Sequence, residues 1–455
     1  MKPYQINGYK WLNTLYRYKL GGILADDMGL GKTLEMISFI STIAVNKPIL
    51  IVTPKSLLYN WEREFEMWYP ESKVIIISGS KTQRSMLIEQ TSLKSKTVFI
   101  TSYDSLRNDI ELYQNSSFSL MVLDEAQYIK NISTQKTQAA KEIVADSRFV
   151  LTGTPIENSL SDLWSLFDFL MPGYLGSYQN FKKEYQTLIN SSDNDITKKR
   201  LLSKIKPFIL RRTKEEVLNE LPPKTETIKM LSMNEEQETL YNAYLENVKN
   251  SLKDKVNKID VLASLTRLRQ LCIDPSMFVD NFNSTSIKTE TCLHLINQAI
   301  NNGHKVIVFS SFTKALERLN EELKKELISC LYIHGQIDAQ TRLEYSNTFN
   351  STNNVKVMLV SIKAGGTGLN LTGGDIVIHL DPWWNIATEN QATDRAHRIG
   401  QTKPVTVIKL ICKNSIEEKV LLLQNLKKNL SNEFVLHGEN VINTISDEDI
   451  KYLLS

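Results

Sequence analysis

The sequence predicts an α/β protein with two doubly wound parallel sheets joined by a helical middle. From Gly21 to Pro155, short β-branched runs alternate with helix-length amphipathic segments, and from Lys305 the same alternation resumes. Between Leu160 and about Met277 the alternation stops. Apolar residues there fall at helical spacing, as in Val261, Leu262, Leu265, Leu268 and Leu271.

The first series of strands comprises GGILA from Gly21, PILIVT from Pro48, Lys73 to Ile77, Thr97 to Thr101, Leu120 to Leu123 and Phe149 to Thr152. The second comprises KVIVFSS, CLYIH, VKVMLVS, DIVIHLD and TVIKLI. Helix-length connections between such runs imply crossovers that cover both faces of each sheet. The middle carries one marked break, at Leu221-Pro222-Pro223. The expected division is a first lobe over 1–158, helical protrusions and a linker over 159–287, a second lobe over 288–430 and a helical extension over 431–455.

Bulk properties narrow the options. At roughly 150 residues per domain, 455 residues give about three compact units, which excludes a small disulfide-stapled module. Lys and Arg number 54 against 51 Asp and Glu, a formal charge of +3, so a polyanion would be met by local patches. The cysteines, Cys272, Cys292, Cys330 and Cys412, form no CxxC pair and read as reduced, mostly buried thiols. The histidines show no metal spacing. No leader pattern and no apolar run near the ~20 residues of a membrane span is present, which predicts a soluble, intracellular protein with no membrane partner, cytoplasmic in a bacterium and nuclear in a eukaryote.

The strand GGILA leads into Asp26-Asp27-Met28-Gly29-Leu30-Gly31-Lys32-Thr33 and then an amphipathic segment. A glycine-rich turn between strand and helix lets backbone N–H groups converge on phosphate oxygens, with the helix dipole adding positive potential. Lys32 would reach the terminal phosphates and Thr33 a magnesium ion. Asp26 stands where the strict P-loop pattern has its first glycine.

The run Ser119 to Leu123 ends in Asp124 and Glu125. Acids at a strand's carboxyl end lie where doubly wound sheets bind ligands, so Asp124 can hold Mg2+ through water and Glu125 can polarise the attacking water. A third strand ends in Leu151-Thr152-Gly153-Thr154-Pro155, whose hydroxyls could sense a γ-phosphate or simply serve a turn. Near the end of the second sheet, Arg395 and Arg398 are three apart, so a helix would present both on one face. Planar guanidinium groups suit a γ-phosphate gaining charge in transfer; a surface ion-pair helix with Asp394 and Glu389 is the alternative.

In this order the segments resemble the Swi/Snf-type ATPases of helicase superfamily two, almost continuously from Lys2-Pro3-Tyr4-Gln5 to about Leu430. KPYQ resembles the segment that reads adenine, with Gln5 as the base contact. DDMGLGKT, DEAQ, LTGTP and QATDRAHRIGQ resemble motifs I, II, III and VI; IVTPKSLLYNW resembles motif Ia, TSYDSLR the following DNA-contact element and VIVFSSF motif IV. ILRRTKEEVLNELPPK, LTRLRQLCIDP, LVSIKAGGTGLNLT and DPWWN resemble markers that other helicases of the superfamily lack. Gln127 stands where His is common, and Asp274 where many relatives carry His. A glutamine still hydrogen-bonds, so the first departure bears on coupling strength rather than on activity.

The resemblance implies two RecA-like lobes with helical protrusions, hydrolysis of ATP with Mg2+, and translocation along double-stranded DNA that displaces DNA-bound proteins, usually without strand separation. It adds Gly368 to the nucleotide-binding set and implies DNA contacts at Lys55, Ser102, Ser311, Thr367 and Trp384. Trp383 and Trp384 could equally pack in the core. Lys198, Lys199, Arg200, Lys204, Lys206, Arg211, Arg212 and Lys214, with no acid between them, form either a phosphate-binding patch or a solvated face. Rival functions are a strand-separating helicase and a weakly hydrolytic DNA-binding scaffold subunit. Both a minimal motor and a piece of a longer protein or complex are compatible with the motif order, and the Asn-, Ile-, Lys- and Ser-rich composition suggests a bacterial source.

Overall fold

A computed structural model describes residues 1–91, 97–113, 116–153, 160–186, 195–218, 220–251, 258–279, 282, 285–365, 368–384 and 386–433. They divide chiefly into one unit over 1–219 and another over 220–432. No helix among the described residues is long and apolar enough to cross a membrane.

The first unit holds β1 (Gly22–Leu24), β2 (Ile49–Thr53), β3 (Lys73–Ile77), β4 (Thr97–Ser102), β5 (Ser117–Asp124), β6 (Val144–Leu151) and β7 (Ile209–Leu210). They pair in the order β3-β4-β2-β5-β6-β1-β7, all parallel. Central strands such as Leu50, Ile51, Val122 and Val150 are wholly buried on both faces, which explains why they read as continuous apolar runs. Two helices matter below: α1 (Pro3–Arg17) and α2 (Lys32–Thr42).

The second unit holds β8 (Lys224–Leu231), β9 (Val306–Ser310), β10 (Cys330–Ile333), β11 (Val357–Ser361), β12 (Ile376–His379) and β13 (Val405–Cys412), in the parallel order β10-β11-β9-β12-β13-β8. Two doubly wound parallel sheets are therefore present, the α/β class that the alternation predicts.

The middle differs from its helical expectation. β7 pairs with β1 in the first sheet, and β8 pairs with β13 over its whole length, from Lys224 beside Val405 to Leu231 beside Cys412. The physical reason is that β8 is an edge strand. Its first six residues are exposed, so KTETIKML needs no apolar run, and the ladder rather than burial holds it. Charge adds to it: Lys409 of β13 pairs with Glu226 at 3.3 Å.

Candidate nucleotide-hydrolysis site

Strands β5, β6 and β1 are neighbours in the first sheet, so the segments that leave their carboxyl ends meet along one edge. Those segments are the Asp124-Glu125 pair, Thr152-Gly153, and the loop Asp26 to Gly31. The sheet order thus gathers three motifs that lie up to about 130 residues apart in sequence.

Gly29 and Gly31 take φ values of 87° and 86°, the left-handed region that glycine enters without a Cβ penalty. Gly31 is the N-cap of α2 and no side chain caps that helix. Its first N–H groups are the ones an anion would meet. The carbonyl of Leu30 is tied down from α1, accepting from the Tyr4 hydroxyl at 2.7 Å and from Gln5 Nε2 at 3.0 Å. The remaining oxygen of Gln5 accepts from the Lys2 N–H at 2.8 Å. Gln5 is buried and placed against the loop's own backbone.

Lys32 folds back over the loop, its Nζ donating to the carbonyls of Asp26 at 2.6 Å and Asp27 at 3.3 Å. Burial lowers its pKa, opposed by Glu125, Asp26, Asp124 and Asp27. Asp124 is fixed by Trp61 Nε1 at 2.8 Å and Thr53 Oγ1 at 3.1 Å, both donating to Oδ2, while Oδ1 accepts from the Glu125 N–H at 3.0 Å. Burial and then the neighbouring Glu125 push the Asp124 carboxyl up to about 6. Glu125 adopts φ 52° and accepts from Gln127 Nε2 at 3.0 Å. Below the pair, the Tyr103 hydroxyl donates to the Asp124 carbonyl at 2.7 Å.

This donor set fits Mg·ATP. Thr33 hydroxyl and the Asp124 carboxylate are the hard oxygen ligands that Mg2+ prefers, and a cation would stabilise the ionised Asp124, which burial and the neighbouring Glu125 disfavour. The glycine turn before α2 is the matching anion cradle. Met28 closes its side: a Cβ on Gly153 would come within 3.0 Å of Met28 Cγ.

Elsewhere the expected residues are placed as follows. Arg395 and Arg398 do not share a helix, because the helix Ile386–Thr393 stops before them. The chain then tightens through Arg395 N–H to Ala392 and Ala396 N–H to Thr393, and Gly400 turns it at φ 101°. Arg395 is buried, and its carbonyl accepts from the Leu371 N–H at 2.9 Å. The turn holding both arginines is fixed further by His397, whose Nε2 lies 2.8 Å from the Pro222 carbonyl. His397 thus has a structural contact. Gly368 takes φ 73°; Thr367 and Thr154 lie outside the described residues.

Lys55 is exposed at the start of a short 3-10 turn after β2. Ser102 is buried, and its hydroxyl caps the helix Tyr103–Asn108 by accepting from the Ser105 N–H at 3.1 Å. In the second unit, Ser311 donates to Asp381 and accepts from Arg269 at 3.1 Å. Trp384 is half-buried, with the Arg269 guanidinium 5.2 Å from its ring centre. Of the basic cluster, Lys199, Arg200, Lys206 and Arg211 are exposed, whereas Arg212 and Lys214 are buried. Arg212 grips Asp26 and Glu35 instead of facing solvent. Sequence reasoning missed that role, although the acid at position 26 in place of glycine was its signal: a buried acid needs a cation.

The SNF2-related domain family matches residues 4–277, and the helicase conserved C-terminal domain matches residues 287–400. The chain is 40% identical to an uncharacterized ATP-dependent helicase of Mycoplasma genitalium, covering 99% of this chain and 44% of that protein. It is 34% identical to a putative ATP-dependent helicase/translocase of Bacillus subtilis, covering 100% of this chain and 51% of that one. The chain therefore spans about half the length of these relatives. Among solved structures, the Sulfolobus solfataricus SWI2/SNF2 ATPase core in complex with dsDNA is 33% identical, with a TM-score of 0.47 over 100% of this chain and 96% of that one. With the SNF2-related match spanning more than half of its residues, the chain belongs to the SNF2-related domain family.

Proposed function

We propose that this chain is the catalytic core of a DNA-stimulated ATPase that translocates on double-stranded DNA and displaces or repositions DNA-bound proteins in the cytoplasm. The observation that carries the reading is the meeting of the Gly29–Gly31 turn, Lys32, Asp124 and Glu125 on one edge of the first sheet.

Each residue then has a step. The turn's N–H groups and Lys32 neutralise the β- and γ-phosphates, and the Lys32 ammonium exchanges the Asp26 and Asp27 carbonyls for phosphate oxygens. Thr33 and Asp124 would hold Mg2+, which supplies charge neutralisation on the transferred phosphoryl group. Glu125, held by Gln127, orients the attacking water and draws on its proton. Arg395 and Arg398 take the γ-phosphate's developing charge, a role their motif implies. Lys55, Lys206 and Arg211, exposed among the described residues, are cations that a phosphate backbone would meet.

The deciding experiment measures ATPase activity with duplex DNA, single strands or RNA as cofactor, and runs triplex displacement beside strand displacement. Duplex stimulation with triplex displacement is expected. Unwinding without triplex displacement would establish a strand-separating helicase, and absence of any DNA stimulation would favour a scaffold subunit.

A further inference from the structure

Arg212 binds four pieces of the first unit to one another. Its Nε donates to both carboxylate oxygens of Asp26 at 3.0 Å, and its Nη2 donates to Asp26 and to both oxygens of Glu35 at 2.8 and 2.9 Å. Its Nη1 donates to the Tyr4 carbonyl, and the guanidinium carbon lies 5.0 Å from the centre of the Tyr4 ring. Asp26 opens the phosphate loop, Glu35 lies in the first turn of α2, and Tyr4 stands beside Gln5 on α1. The side chains of Asp26 and Glu35 are fully enclosed. Gly8 makes the approach of α1 possible: a methyl group there would overlap the Glu35 carboxylate and reach within 3.0 Å of Arg212 Nη2.

The backbone adds a second tie. Ala25 N–H donates to the Leu210 carbonyl at 2.7 Å, Asp27 N–H to the Arg212 carbonyl at 3.0 Å, and Lys214 N–H to the Asp27 carboxylate at 3.1 Å. Residues 210–214 therefore run alongside the entry to the loop, and the first unit ends a few residues later, at 219. Burying an arginine with two acids is a poor way to gain stability, since apolar side chains of similar volume fill such a space at lower cost. What the planar fork does provide is position: five donors in fixed geometry allow one placement of Asp26, Glu35 and Tyr4 relative to each other.

We propose that Arg212 is the positioning residue of the nucleotide loop. It sets the spacing of the loop, α1 and α2 that ATP requires and joins the loop to the segment leading out of the first unit. The inference rests on the nucleotide reading of that loop.

The test uses the full chain and two variants. Arg212→Lys keeps the charge and removes the fork, while Asp26→Asn keeps the loop's shape and removes the charge that the fork grips. Binding of a fluorescent methylanthraniloyl ATP, steady-state ATPase kinetics and thermal melting by circular dichroism are measured together. In the folded variants KM for ATP rises about tenfold or more while kcat changes less than about threefold, the split expected when ground-state positioning is lost. Folded variants with wild-type KM overturn the inference. If Arg212→Lys does not fold, Asp26→Asn decides by the same criterion. A wild-type chain that binds no fluorescent ATP overturns the nucleotide reading itself, and that result is distinct from the first.

Discussion

Gln127 donates its side-chain amide to the Glu125 carboxylate at 3.0 Å, while its own Oε1 is buried without a partner among the described residues. The amide orients the carboxylate assigned to the attacking water, and a buried acceptor left open is costly to keep. Glu125→Gln is expected to bind ATP and lose turnover. Gln127→Ala is expected to lower kcat by about tenfold, the worth of one hydrogen bond to a charged group, with little change in nucleotide affinity. Steady-state ATPase rates beside nucleotide titrations check both, and an unchanged kcat in Gln127→Ala would remove Gln127 from the mechanism.

Stability should fall as pH rises through the neutral range, because of Glu35. Burial pushes its carboxyl from an ordinary 4.5 up to about 8, with Asp26 adding to the rise and Arg212 opposing it. A carboxyl whose folded pKa lies above its unfolded value binds protons more tightly when folded, so its contribution is complete below about pH 4.5 and is lost as pH approaches 8. Asp124, pushed up to about 6, acts in the same direction over a lower window. Denaturant unfolding of the nucleotide-free chain between pH 5 and pH 8.5 is the measurement, and Glu35→Gln should flatten the decline. Equal slopes in the two proteins would exclude Glu35 as its source.

The parts legible in the sequence are those where one local rule governs. Strands such as PILIVT and VKVMLVS are buried on both faces, so composition alone reveals them, and the Gly29–Gly31 turn is forced by left-handed backbone. Illegible were features set by distant partners. β8 is exposed and held by pairing with β13, so it carries no apolar signature. The arginine pair read as a helix because i,i+3 spacing suits one, yet the chain turns after Thr393 to let Leu371 bond to Arg395. Arg212 looked like one more surface cation: the acid at position 26 signals the need of a counter-charge, but nothing near Arg212 reveals that it is the partner of Asp26 and Glu35, nearly two hundred residues earlier.

Lys288 and Glu417 form an ion pair at 2.6 Å with both side chains fully buried. Lys288 also donates to the Leu380 carbonyl, and Glu417 accepts from the Cys412 N–H at 3.1 Å, so the pair joins three elements of the second unit. Lys288→Met leaves a buried carboxylate alone and should cost about 3–5 kcal/mol. Adding Glu417→Leu should restore most of that loss, because the uncompensated charge disappears. Chemical denaturation of the three variants tests it; a double variant no more stable than the single would show that the pair is essential for more than charge balance.

Arg269 bears on the choice between two roles for Trp384. Its guanidinium lies 5.2 Å from the ring centre of Trp384, 5.5 Å from Trp383 and 5.2 Å from Phe312, and Nη2 donates to Asp381 at 2.8 Å and to the Pro382 carbonyl at 2.9 Å. We propose that a ring held by this cation is a packing element of the second unit. Trp384→Ala should then destabilise the chain by about 1–3 kcal/mol while leaving the salt dependence of duplex binding unaltered. Lys55→Ala should do the reverse: its side chain is exposed, so stability stays near wild type and the slope of log affinity against log salt falls by about one. Fluorescence anisotropy with labelled duplex at several salt concentrations separates the two. A Trp384→Ala protein of wild-type stability that binds duplex an order of magnitude more weakly would instead make Trp384 a stacking contact.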